Sequence, residues 1–205
     1  AMRHINILED MDFREIKVSL KASSVPLTIA SYRMLARTVD YPLHIGVTEA
    51  GTLFAGAVKS SVGLGVLLAE GIGDTLRVSL TGDPVDEVRV GWEILKALEL
   101  RKRGVNIISC PTCGRIKLDS VRVATEVEKR LSHIKEPVNV AIMGCVVNGP
   151  GEAMEADVGI AGGDGVGLIY VGGEAVRKVR EEEMVDALVE EVLRIVEGRG
   201  KVPVK

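Results

Sequence analysis

From residue 14 onward the chain alternates short apolar runs with longer stretches whose apolar residues recur every three or four positions. The runs at 14–23, 41–51, 74–84 and 106–110 read as buried strands. The stretches between them, 26–39, 53–71 and 85–104, read as helices. Strand starts near Ile16, Leu43, Leu76 and Asn106 are spaced 27, 33 and 30 residues. That is the length of a βα unit, which requires a parallel sheet. The third helix has a clear beginning, with Asp83 to cap it, Pro84 at its first position and Asp86 and Glu87 in its first turn. Its stripe Val88, Trp92, Leu95 and Leu98 is expected to face a core.

After Gly104 the cadence changes. Residues 119–134 read as a helix and 138–147 as a strand. Residues 156–173 read as a hairpin, because Asp164-Gly165 between two β-rich runs is a strong turn signal. The last helix, 181–200, is acidic at its start and is expected to stop at Gly198. The chain therefore divides near residue 104. Residues 1–104 are a piece of a βα array, and 105–205 a small α/β domain. Three βα units cannot close an eight-stranded barrel, and an open doubly wound sheet would need more helices on one face. More of the fold is expected N-terminal to this chain.

Composition narrows the possibilities. A net charge of −3 and 3% aromatic residues leave neither a basic footprint for nucleic acid or an anionic membrane nor stacking platforms for single strands. No apolar run reaches membrane-spanning length, and the N-terminal residues carry charges without an apolar signal core. Three cysteines cannot form a closed disulfide framework, which fits a reducing, cytoplasmic setting.

Those cysteines carry the candidate chemistry. Cys110 and Cys113 follow an apolar strand with the spacing of a redox dithiol, a zinc half-site or an iron–sulfur half-site, and alone decide little. Cys145 ends a second apolar strand, so two strand ends can bring three thiols to one rim. Beyond it "VVNGPGE" offers a Gly-Pro-Gly turn expected to point Glu152 back toward that rim. His133, late in a helical pattern, reads as a surface residue. Thiolate-rich sites select zinc or iron–sulfur. A [4Fe–4S] cube needs one ligand per iron, so three cysteines with a weaker fourth ligand leave one iron exchangeable. The glycine-rich "GIAGGDGVG" matches neither GxGxxG nor a phosphate-binding P-loop.

In order, "VSLKAS", "PLHIGVTEAG", "GAVKSSVGLG", "GDTLRVSLTGDP", "CPTCGR", "GCVVNGPGEA" and "GIAGG" resemble the C-terminal part of the (E)-4-hydroxy-3-methylbut-2-enyl diphosphate synthase family, over essentially the whole chain. The resemblance implies the last three βα units of a TIM-type barrel followed by a small sulfite-reductase-like α/β domain. In that domain Cys110, Cys113, Cys145 and Glu152 would hold a [4Fe–4S] cluster. It implies reductive ring opening of 2C-methyl-D-erythritol 2,4-cyclodiphosphate in the non-mevalonate isoprenoid pathway, a two-electron dehydration fed by flavodoxin or ferredoxin. A homodimer is implied for the whole enzyme. Lys21 and Ser79 would contact the diphosphate, and Glu49 would serve as an acid near the leaving oxygen. Asn148 would orient the substrate or form a plain Asx-turn. The family is longer at its N-terminus and carries diphosphate-binding arginines there, so this chain alone is expected to be inactive. Two other readings stay open: an iron–sulfur electron-transfer module without affinity for a cyclic diphosphate, and a colourless zinc-stabilised interaction domain.

Overall fold

The computed structural model describes residues 1–199, in a first unit, Ala1–Lys102, and a second that begins at Arg103. The first unit opens with helix α1 (Met2–Asp10), which the apolar pattern does not announce. Three helices follow, α2 (Val25–Ala36), α3 (Leu53–Ala69) and α4 (Pro84–Ala97). Strands β1 (His44–Gly46) and β3 (Thr75–Arg77) pair in parallel, as do the short β2 (Gly51–Thr52) and β4 (Leu80–Thr81). The run at 14–23, expected as a strand, contributes only a parallel bridge from Val18 to Leu43. Val18, Leu43, Ile45 and Val78 point into a core with Tyr32 and Leu35 of α2, Leu64 and Leu67 of α3, and Ile94 of α4. Alternation along the strands sends Ser19, Gly46 and Arg77 to the opposite face.

Helix α4 begins as its sequence predicts, with Asp83 accepting from the Val85 N–H at 2.8 Å. It stops earlier than residue 104. Glu99 enters the left-handed region (φ 55°), and the Leu100 N–H reaches back to the Leu95 carbonyl at 3.0 Å, closing the helix in a Schellman turn. Its core residues are Gly91 and Ile94, with Leu98 packed beside them. Val88 is 61% exposed and lines an open groove with Trp92, Leu95, His44 and Arg77. The expected stripe was thus rotated, because the small Gly91 lets the helix approach Leu76 and Val78 closely.

In the second unit β5 (Val105–Ser109), β6 (Val138–Met143) and β7 (Val158–Gly163) run parallel, and β8 (Val166–Val171) and β9 (Glu174–Arg180) continue the sheet antiparallel in the order β5-β6-β7-β8-β9. The Asp164-Gly165 turn joins β7 to β8 as expected, both residues having positive φ. Helices α5 (Ser120–Leu131) and α7 (Met184–Arg199) bury one face through Val123, Val127, Leu131, Leu188 and Val192. Helix α7 passes through Gly198, so that glycine does not stop it; residue 200, the end of the expected helix, lies outside the described residues. The Gly-Pro-Gly segment, expected as a turn, opens a short helix, α6 (Gly149–Met154), on the other face of the sheet. Strand β9 was unannounced because its apolar positions are sparse and all but Val179 are exposed.

Candidate functional site

Two groups of side chains bear chemistry, one in each unit. In the first, Lys21, Glu49 and Ser79 all lie beyond the C-terminal ends of their strand segments or in breaks between them. Lys21 is exposed, but its neighbours are pinned. The Leu20 N–H donates to the Tyr32 hydroxyl at 2.9 Å, and that hydroxyl donates to the His44 carbonyl at 2.6 Å. The Ala22 carbonyl accepts from the Thr48 N–H at 2.9 Å, which ties the Lys21 segment to the residue preceding Glu49. Glu49 falls in the break between β1 and β2 with φ 54°. A left-handed glutamate costs conformational energy, and such residues cluster at functional sites. Ser79 occupies the matching break between β3 and β4, and its hydroxyl accepts from Arg77 Nε at 3.3 Å.

Arg77 connects this group and was missed in the sequence. Its guanidinium also reaches the hydroxyls of Ser19 and Thr48, each at 3.3 Å. Among the described residues no carboxylate forms an ion pair with it. A half-buried cation held only by neutral hydroxyls is poised for an anion. Its charge is felt nearby: burial first, then Arg77 and Lys17, push the His44 imidazole below its ordinary pKa. The signal was present, since Arg77 stands two residues before Ser79 and so on the same strand face.

In the second unit, β5 and β6 are parallel neighbours and deliver Cys110 and Cys145 just past their C-terminal ends. The Gly144 N–H donates to Cys110 Sγ at 3.3 Å, which sets one cysteine beside the residue preceding another. Cys145 Sγ receives the N–H groups of Asn148, Val147 and Gly149; these, with the Arg115 charge, lower its pKa against a smaller opposing effect of burial. A nest of amides favours thiolate, the ligating form. Cys113 is exposed in the loop between β5 and α5, and Glu152 is exposed in the first turn of α6. Among the described residues, no three His, Cys, Asp or Glu side chains approach closely enough to hold a metal ion. The donor set nonetheless fits an iron–sulfur group in chemistry and topology: three free thiols and a carboxylate on consecutive connections at one end of a sheet, one thiol already favoured as thiolate. Asn148 precedes α6 and makes no side-chain cap bond, so the Asx-turn alternative does not apply at that helix. His133 is exposed after the end of α5. No helix among the described residues is long and apolar enough to cross a membrane.

Residues 1–92 match the family described as the GcpE TIM-barrel domain, and residues 106–194 match the GcpE protein C-terminal domain. The chain is 66% identical over 195 residues to the 4-hydroxy-3-methylbut-2-en-1-yl diphosphate synthase (flavodoxin) of Geobacter sulfurreducens, covering 95% of this chain and 55% of that protein. It is 64% identical to the protein of the same name from Symbiobacterium thermophilum, over 99% of this chain and 56% of that one. For the Clostridium acetobutylicum protein the identity is 59%, over 94% and 55%. The chain spans about half the length of the curated relatives it matches. With both family domains matched in order along its two units, this chain belongs to the GcpE family.

Proposed function

We propose that the chain is the C-terminal portion of an oxidoreductase that opens 2C-methyl-D-erythritol 2,4-cyclodiphosphate to (E)-4-hydroxy-3-methylbut-2-enyl diphosphate. Flavodoxin, the donor named for the relatives, or ferredoxin would supply the electrons, in a homodimeric, cytoplasmic enzyme. Residues 1–104 are the last three βα units of a TIM-type barrel, and 105–205 the sulfite-reductase-like cluster domain. The open sides of the first unit support the barrel reading. Val25 and Arg33 of α2 meet α3, at Gly63 and Glu70. Leu27 and Met34 stand on another flank of α2, 57% and 72% exposed. At the other end, Val85 and Val88 of α4 are 54% and 61% exposed. Apolar flanks at both ends of a three-unit array call for further βα units.

The observation that carries the enzymatic reading, against an electron-transfer module, is Arg77: such a module has no need of a cation held among hydroxyls. Arg77 and Lys21 would bind the diphosphate, with Ser79 donating a hydroxyl. Glu49 would hold the proton delivered to the oxygen that departs as water. Cys110, Cys113 and Cys145 would hold a [4Fe–4S] cluster with Glu152 as the weaker fourth ligand, and Asn148 would orient groups beside it. When bound, that cluster supplies the electrons and a Lewis-acidic iron. The test is iron, sulfide and zinc analysis of the anaerobically purified protein, with turnover of the complete enzyme on the cyclic diphosphate using reduced flavodoxin. About four irons and four sulfides per chain, with turnover lost in Arg77→Gln, are expected. One zinc and no visible absorption would overturn the cluster assignment. Full turnover in Arg77→Gln would overturn the diphosphate site.

A further inference from the structure

Gly46 is the residue opposite Arg77 in the β1–β3 pair. It is buried in strand backbone, and its φ is not among the positive values, so nothing in its conformation demands glycine. The demand is steric. A Cβ at this position would lie 2.9 Å from the guanidinium carbon of Arg77, 2.9 Å from its Nη2 and 2.8 Å from its carbonyl oxygen. These approaches are closer than non-bonded carbon tolerates. The Arg77 side chain therefore lies flat across the strand at Gly46. From there its three nitrogens fan out to Thr48 just past the Gly46 strand, Ser19 on the preceding segment and Ser79 just past its own strand.

We infer that Gly46 is a positioning residue for anion recognition: its missing side chain is the bed that keeps the Arg77 guanidinium across the strand and aimed at the break holding Ser79. Any side chain at 46 would lift the guanidinium off its hydroxyls. This inference rests on the reading of Arg77 as a diphosphate ligand, and the test separates the two. Binding of inorganic pyrophosphate to the complete enzyme is measured by calorimetry for Gly46→Ala, Arg77→Gln and the double variant. Arg77→Gln is expected to weaken binding at least tenfold, as loss of a charge-assisted bond does. Gly46→Ala is expected to weaken it about tenfold when Arg77 is present and by several-fold less in the Arg77→Gln background, where the collision with the guanidinium is gone and only the one with the carbonyl oxygen remains. Equal losses in both backgrounds would overturn the role of Gly46 while leaving the Arg77 site intact. Wild-type binding by Arg77→Gln would sink the anion site itself. If Gly46→Ala does not fold, it is combined with Arg77→Ala. Recovered folding supports the side-chain contact. Failure in both backgrounds places the collision at the Arg77 carbonyl and overturns the inference.

Discussion

The proposed ligands Cys145 and Glu152 differ in their surroundings. Cys145 follows β6 and is surrounded by three amide N–H donors, whereas Glu152 is an exposed side chain on a six-residue helix. Replacing Glu152 by alanine should therefore cost less cluster than replacing Cys145, measured as iron per chain after anaerobic purification. A full cluster in Cys145→Ala would remove Cys145 from the ligand set. His44 supplies a pH-dependent prediction. Its pKa is lowered in the fold, so the unfolded chain binds the proton more readily. Its contribution to stability is whole above about pH 6.5 and is lost as pH falls through that value toward the folded pKa. The His44→Gln protein should show a flatter fall in thermal stability across that window. An unchanged slope would assign the pH dependence to other groups.

At the scale of elements, α6 is the piece that carries Glu152 and whose start brings amides to the Cys145 thiol, and its seat is made of small residues. Gly159 of β7 faces it so closely that an added Cβ would stand 2.3 Å from the Ala153 carbonyl and 2.7 Å from its Cα. Backbone cannot yield cheaply there. Gly159→Ala should destabilise the second unit by about 1–3 kcal/mol, the usual cost of overpacking, in a denaturant titration. It should also reduce cluster retention, since α6 would lift from the sheet that carries Cys145. Wild-type stability would mean that α6 does not rest on β7 in solution. The sequence showed the glycines and the proline of this segment but not that they begin a helix, because six residues hold too few periodic positions to register.

For the molecule as a whole, the apolar flanks of α2 and α4 are the features most dependent on what surrounds this chain. Met34 is 72% exposed here. In the isolated chain Met34→Lys should change stability by no more than about 0.5 kcal/mol, as an ordinary surface substitution does. In the complete polypeptide, where a neighbouring βα unit would cover that flank, the same change should cost about 2–4 kcal/mol. Equal small effects in both would argue against the barrel arrangement.

Much of this protein was determined locally and so was legible in the sequence: the βα cadence, the Asp83 cap, the Asp164-Gly165 hairpin, and the thiols at strand ends. Each depends on neighbours within a few residues, which is the range over which patterning and turn chemistry operate. Tertiary structure decided the rest. The run at 14–23 became a single bridge because the hydroxyl of Tyr32, from the following helix, takes the Leu20 N–H and the His44 carbonyl that the next ladder bond would have joined. The expected core stripe of α4 was rotated by a glycine that packs on Leu76. Arg77 became the centre of the first unit's polar face only because Ser19 and Thr48, 58 and 29 residues away, were brought to its guanidinium. Contacts between residues so far apart arise from the packing of whole elements, and no local pattern encodes them.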